Sequence, residues 1–120
     1  MKRLKILLLI SCSIIVGCAA PQIIQDRVNA DMDEVCAKLF LGGSYQEGAQ
    51  GIMKSAFAVS RDSENNIAAC AYQTLGAIYS ESGAINGALA NCEKMRLNIM
   101  TKNQKPLQPC EIYAIGNEIK

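Results

Sequence analysis

The fold is decided by two stretches of the chain, Ala88-Leu89-Ala90-Asn91-Cys92-Glu93 and Pro109-Cys110-Glu111-Ile112-Tyr113-Ala114-Ile115. The first lies within residues 80–100, where apolar side chains recur at the spacing of one helix face, and Cys92 belongs to that face. The second follows prolines that end a helix, and it has the pattern of a strand. A helix that folds back onto this strand would bring Cys92 next to Cys110. The two stretches therefore favour a Cys92–Cys110 disulfide.

The amino terminus has the pattern of an export signal. Three basic residues, Lys2, Arg3 and Lys5, precede an apolar run of eleven residues at positions 6–16. A helix needs roughly 20 apolar residues to cross a bilayer, so the run is too short for a permanent span. We therefore expect this segment to be removed after export.

The end of this segment, Ile15-Val16-Gly17-Cys18, resembles the lipobox of bacterial lipoproteins, with Ile15 in the place usually taken by Leu. The resemblance implies that residues 1–17 are cleaved and that Cys18 carries the lipid, palmitate included. Ala19 stands where an Asp would imply retention in the inner membrane. The resemblance therefore implies the periplasmic face of the outer membrane. The alternative is an ordinary secretory signal with an incidental Cys18.

The remaining cysteines fit an oxidising compartment. Four cysteines of an exported chain are expected to form two disulfides, and three connectivities are open. Because the pattern favours Cys92 with Cys110, it leaves Cys36 with Cys70. The alternative is a zinc site of four thiolates, but separations of 34, 22 and 18 residues lack the close pairs that such sites usually have. We expect two disulfides and no metal.

The rest of the chain completes an α+β pattern. We expect a helix over residues 26–41, mostly loop over 42–51, and strands over 52–60 and 67–73 joined by a polar turn. With the helix and strand described first, the pattern predicts a small antiparallel sheet of about three strands packed with two helices and stabilised by disulfides. We divide the chain into a signal peptide (1–17), a short tether (18–25) and one domain (26–120).

A second resemblance covers roughly residues 54–119. Phe57-Ala58-Val59-Ser60, the Cys92-Glu93 helix end and the C-x-x-Y-A strand that begins at Cys110 resemble a recurring arrangement in uncharacterised exported bacterial α+β domains that contain cysteines. The resemblance implies a fold and no activity. The second strand departs from it, since Ala68-Ala69-Cys70-Ala71-Tyr72 replaces the usual glycine and aromatic residues. That departure is consistent with an extra disulfide at Cys70.

Composition excludes several classes of function. The chain has no histidine, so it cannot assemble a Ser-His-Asp or Cys-His catalytic set. Without residues 1–17 it has nine basic and eleven acidic residues, and no basic patch that would bind nucleic acid. The G-x-x-G sequence at 48–51 lacks basic neighbours and is interpreted as a turn. We expect no enzymatic activity and no cofactor.

The sequence leaves the specific task open. Tyr45 and Tyr79 fall in or beside predicted loops, where an exposed tyrosine is a common interface residue. We therefore expect a lipid-anchored envelope protein with a structural or protein-interaction role and an unidentified protein partner. One alternative is a binder of a small ligand or cell-wall fragment in a groove between helix and sheet. Another is an inhibitor of a secreted enzyme.

Overall fold

The computed structural model describes residues 19–120, which form four helices and four strands. In chain order these are α1 (Gln22–Asp31), α2 (Glu34–Leu41), α3 (Gly43–Gln50), β1 (Lys54–Arg61), β2 (Ile67–Leu75), α4 (Glu81–Asn103), β3 (Glu111–Ile115) and β4 (Glu118–Ile119). The strands form one antiparallel sheet in the order β2-β1-β3-β4. The predicted α+β class, with an antiparallel sheet and two disulfides, is confirmed.

Strand β1 lies between β2 and β3 and is buried on both faces. Because successive side chains of a strand point to opposite faces, its side chains divide into two sets. Phe57 and Val59 belong to one core, whereas Ala56 and Ala58 belong to the other. Helices α1 to α3 pack on the first core and α4 packs on the second, and β2 and β3 contribute side chains to both. The sheet is therefore the middle of three layers.

The first core is built on aromatic rings. Phe40 of α2 and Tyr45 of α3 are fully buried, with ring centroids 4.9 Å apart. Both rings meet Phe57 of β1 edge to face, at 5.0 Å and 5.3 Å. Such tilted contacts place the positive edge of one ring against the negative face of the next. This cluster holds the three short helices to the sheet.

The second core is built on small side chains. Ala84, Ala88 and Cys92 of α4 are fully buried against Ala56 and Ala58 of β1. Small residues on both sides let the helix lie close to the sheet without voids, as close-packed interiors require. The predicted apolar face of residues 80–100 is thus the face that packs.

One disulfide joins each of the two helical layers to the sheet or to the residue before one of its strands. Cys36 of α2 bonds Cys70 of β2, and Cys92 of α4 bonds Cys110, the residue before β3. The predicted pairing is confirmed, and the alternative of a four-thiolate zinc site is wrong. Between residues 19 and 120 no cysteine is left free.

The single helix predicted over residues 26–41 is wrong, because it breaks at Met32 and Asp33. Met32 is extended and buried, and the Asp33 carboxylate accepts the Cys36 backbone N–H at 2.9 Å. An aspartate in this position accepts a hydrogen bond from a backbone amide of the first turn, which favours the start of a second helix there. The capping signal of Asp33 outweighed the continuous apolar spacing across the break.

The loop predicted over residues 42–51 is also wrong, since most of it forms α3. Tyr45, Gln46 and Gly48 are buried on the sheet side of this helix. Glycines lower helix propensity by only about 1 kcal/mol each, which is less than the packing of a large aromatic ring supplies. The described residues also contain β4, a fourth strand of two residues, which was not predicted.

Gly48 gives a test of this packing. A Cβ at this position would lie 2.6 Å from Thr74 Cγ2 and closer still to Ser55 Oγ. Helix propensity alone favours Gly48→Ala by about 1 kcal/mol. We expect instead a loss of about 1–3 kcal/mol in the free energy of unfolding, because overpacking outweighs propensity. Urea denaturation measures it, with the exposed Glu47→Ala of the same helix as control. A stabilised Gly48→Ala protein would contradict the close contact.

Candidate functional site

The chain is folded from its first described residues. The Ala19 carbonyl accepts a hydrogen bond from the Gln50 side-chain amide at 2.9 Å. Ala20 is buried, and its carbonyl accepts a hydrogen bond from Gln25 Nε2 at 2.6 Å. Helix α1 begins at Gln22, three residues later. Residues 22–25 of the predicted tether thus belong to α1. Cys18 itself, the predicted lipidation site, lies outside the described residues.

Ala19 lies at one end of the sheet, which we call the proximal end. Strand β1 begins there and β2 ends there, because Lys54 pairs with Leu75. The turn after β3 is at the same end, since the Gly116 N–H donates to the Ser55 carbonyl at 2.8 Å. Helix α3 ends over these strands, with Gly48 against Ser55 and Thr74. Gln50 then links this end to Ala19.

Large apolar side chains are exposed in the two connections at this end. Ile52 and Met53, between α3 and β1, are 83% and 42% exposed, and Ile78 and Tyr79, between β2 and α4, are 91% and 55% exposed. We call these four residues the proximal surface. The second connection is held in a turn by the Tyr79 N–H, which donates to the Gly76 carbonyl at 3.0 Å. The backbone therefore presents Ile78 and Tyr79 in an ordered turn.

The two tyrosines predicted as contact residues separate. Tyr79 is exposed, as the prediction requires. The exposure predicted for Tyr45 is wrong, because its ring is fully buried and its hydroxyl donates to the Gly116 carbonyl at 2.7 Å. Burial also raises the pKa of the Tyr45 hydroxyl, so it stays neutral. Tyr45 is a core residue that braces α3 against the turn after β3.

A polar groove of about 390 Å³ lies between α1 and the sheet, away from the proximal surface. Its charged and phenolic side chains are those of Arg27, Asp31, Arg61, Glu111, Tyr113 and Lys120. Helix α1 contributes the first two, and the far end of β1, strand β3 and the chain's last residue contribute the others. A groove between helix and sheet thus exists where the alternative of a small-ligand binder requires one.

The charges of the groove are largely paired with one another. Tyr113 Oη donates to Asp31 Oδ2 at 2.5 Å, and Arg61 Nε donates to Glu111 Oε1 at 2.9 Å. Burial, together with Asp31, raises the pKa of the Tyr113 hydroxyl. Arg27 Nε lies 3.8 Å from Asp31 Oδ2 and is half exposed. An incoming ligand would have to compete with these pairs, and Arg27 offers the most accessible cation.

The opposite, distal end of the sheet is held by two carboxylates. Glu93 of α4 accepts the Cys110 backbone N–H and Arg96 Nε, each at 2.7 Å. Asp62 accepts the backbone N–H groups of Asn66 and Glu64 and pairs with Lys105. The hydrogen bond from Cys110 is the main cause that lowers the pKa of Glu93, and the one from Asn66 is the main cause that lowers the pKa of Asp62.

These two shifts predict a loss of stability in acid. A carboxyl with a lowered pKa in the folded state stabilises the fold above its ordinary pKa of about 4, and this contribution falls as pH drops further. We expect the free energy of unfolding to decline below about pH 4. The decline should be shallower in Glu93→Gln, which keeps an acceptor for Cys110 and removes the charge. Urea denaturation at a series of pH values measures this decline, and Glu47→Gln, at an exposed position, is the control. Equal slopes in all three proteins would refute the role of Glu93.

The described residues give no metal site. Between residues 19 and 120 no group of three or more cysteine, aspartate and glutamate side chains could hold a metal ion. Over the same residues, every buried side-chain nitrogen and oxygen has a hydrogen-bond partner. None of the helices there is both long and apolar enough to cross a bilayer.

Sequence reasoning missed most of the proximal surface. The strand predicted over residues 52–60 includes Ile52, and the pattern does not single out Ile78, although Ile52 follows Gly51 directly and Ile78 lies two residues after Gly76. The groove was also missed as a set of residues, because it joins Arg27 to Tyr113 across 86 positions of the chain. A turn glycine followed closely by isolated large apolar residues was the available signal for the first. No sequence signal was available for the groove.

Comparisons of the chain with models of known protein families, with curated proteins and with solved structures find no match.

Proposed function

We propose that this protein is a bacterial envelope lipoprotein, anchored through Cys18, whose folded domain acts by binding or by structural support rather than by catalysis. The observation that carries the proposal is that Ala19, the residue after Cys18, already belongs to the fold, since its carbonyl accepts a hydrogen bond from Gln50. A lipid on Cys18 would therefore fix the whole domain to the membrane without an intervening linker. The two disulfides support it too, since such bonds persist in oxidising compartments.

Two or three acyl chains would make the attachment durable. Each buried methylene contributes about 0.8 kcal/mol, and a single chain gives only reversible binding. The periplasmic face of the outer membrane is the proposed location, since Ala19 follows the lipidated residue. The Ala19 side chain is exposed, so it can be replaced without disturbing the core.

The anchoring proposal is tested in bacteria that express the full chain with labelled palmitate. Label in the protein, membrane fractionation and accumulation of the precursor under globomycin are expected. Cys18→Ser should lose both label and membrane attachment, whereas Cys12→Ser, a cysteine within the signal, should keep both. Ala19→Asp should move the protein to the inner membrane. A Cys18→Ser protein that is still processed and sediments with membranes would falsify the proposal.

The polar groove supports a second candidate function, binding of a carboxylate-bearing cell-wall fragment. Arg27, Arg61 and Lys120 bring three cations to one groove, and arginine matches carboxylate geometry well. A ligand that binds only the folded state raises the melting temperature, and the increase grows with the logarithm of free ligand concentration above its Kd. Cell-wall peptides should therefore shift the melting temperature of the native protein and not that of Arg27→Gln. Lys94→Gln is the control, because Lys94 is an exposed residue of α4. An unchanged melting temperature at saturating peptide would contradict this function.

A further inference from the structure

We propose that the proximal surface is a membrane-contact surface, and that Ile52, Met53, Ile78 and Tyr79 insert into the boundary between the headgroups and the acyl chains of the bilayer. This inference rests on the proposed lipidation of Cys18. It adds an orientation to the anchor: the domain stands on its proximal end, with the distal end of the sheet directed away from the membrane.

The first support is the length of chain between lipid and domain. Cys18 is bonded directly to Ala19, and consecutive Cα atoms are about 3.8 Å apart. The Ala19 carbonyl is held by Gln50, which precedes Ile52 by two residues. No spare residue allows the domain to move away from its lipid. The connection that contains Ile52 and Met53 therefore stays close to the bilayer.

The second support is that both exposed connections lie at this same end. Lys54 pairs with Leu75 in the sheet, so the connection before β1 and the connection after β2 are neighbours. Ile52 and Ile78 are the two most exposed large apolar side chains of the described residues. Isolated exposed apolar residues are ordinary, but two pairs beside one chain terminus form a patch, and such patches mark contact sites.

The third support is the residue chemistry of the patch. Isoleucine and methionine bury well among acyl chains, and tyrosine is enriched at membrane–water interfaces, where its ring is buried and its hydroxyl stays hydrated. Lys54, exposed directly after Met53, has a long aliphatic stem that can lie in the interface while its ammonium reaches the phosphates. Glu81, at the start of α4, offsets this single charge. The contact is therefore mainly apolar rather than electrostatic.

The absence of tryptophan from the chain permits a direct test. Full-length protein is expressed in bacteria, and the mature lipidated form is purified from membranes. It is then reconstituted into vesicles of phosphatidylethanolamine and phosphatidylglycerol. Ile52→Trp and Ile78→Trp each introduce one fluorophore into the proximal surface. Both positions are solvent-exposed, so the substitutions should leave the fold intact, and intact disulfides by mass spectrometry confirm it.

Leu97→Trp is the matched control. Leu97 is also exposed, but it lies 16 residues along α4 from Glu81, about 24 Å from the proximal end at 1.5 Å per residue. We expect blue-shifted emission, quenched by lipids with brominated acyl chains, at positions 52 and 78. We expect water-like, unquenched emission at position 97. Added salt should change neither result, because apolar insertion is not screened.

Two results would overturn the membrane contact. Water-like emission at positions 52 and 78 would mean that the proximal surface faces solvent and is open to a protein partner. Equal quenching at position 97 would mean that the domain has no fixed orientation. The anchor has a separate readout, the mass of the mature chain. A mature chain without lipid overturns the proposed anchoring, whereas a lipidated chain with exposed fluorophores overturns only the contact.

Discussion

Replacing Cys36 and Cys70 together by alanine is expected to lower the free energy of unfolding by about 4 kcal/mol, the value that the chain-entropy model gives for a closed loop of this length. The bridge closes a separation of 34 residues. Alanine is the suitable replacement because both positions are buried, and serine would leave unpaired hydroxyls there. A domain of ordinary stability has only about 5–15 kcal/mol in total, so the loss is a large share.

The matched control is the double replacement of Cys92 and Cys110. That bridge closes 18 residues, so the same model gives a loss of about 3 kcal/mol. The two helical layers also differ in the intrinsic stability of their helices. Helices of eight to ten residues, such as α1, α2 and α3, are marginal on their own, whereas α4 has 23 residues. Urea denaturation of both variants measures the order. A smaller loss for Cys36 and Cys70 than for Cys92 and Cys110 would contradict the dependence of the short helices on their bridge.

The second large effect is expected from Tyr45→Ala, which should cost about 3–5 kcal/mol, the usual range for truncating a buried aromatic residue. The ring lies among Phe40, Phe57 and Tyr72 and is fully buried. Tyr45→Phe keeps the ring and loses only the hydrogen bond to the Gly116 carbonyl, at a cost of about 1 kcal/mol. Thermal or urea unfolding measures both.

Tyr79→Ala is the control for this series. Tyr79 is exposed in a turn, so its removal should change the free energy of unfolding by less than about 0.5 kcal/mol. The two tyrosines, which look alike in sequence, should thus behave oppositely. If Tyr45→Ala were as harmless as Tyr79→Ala, α3 would not be packed as described.

The half of the fold that depends on long, regular patterns was predictable. Residues 80–100 repeat an apolar face over about four turns, and residues 110–115 follow prolines, so α4 and β3 were placed correctly within a few residues. The favoured disulfides followed from that placement, because a helix that folds back brings Cys92 next to Cys110 and leaves Cys36 with Cys70. The hairpin of β1 and β2 was found for the same reason, from a polar turn between two apolar runs.

The half built from short helices was not predictable in the same way. The burial of Tyr45 depends on Phe57 and Gly116, which lie 12 and 71 positions away, so no local pattern reveals it. Gly48 looks like a turn glycine in sequence, but it is required where α3 meets the sheet. Local propensity was therefore outweighed by contacts that exist only after folding. The proximal surface had a local signal in its turn glycines, but its two connections are brought together only by the pairing between Lys54 and Leu75.

The position of β1 between β2 and β3 also has a consequence for when the sheet can form during synthesis. One edge of β1 is completed only by residues 111–115, at the very end of the chain, and Cys92 finds its thiol partner only at Cys110. A nascent chain that lacks its last ten residues cannot close the sheet. The sheet therefore stays incomplete until residues 111–115 have been synthesised, which suits the export that we propose, because an open polypeptide can be threaded through a narrow channel.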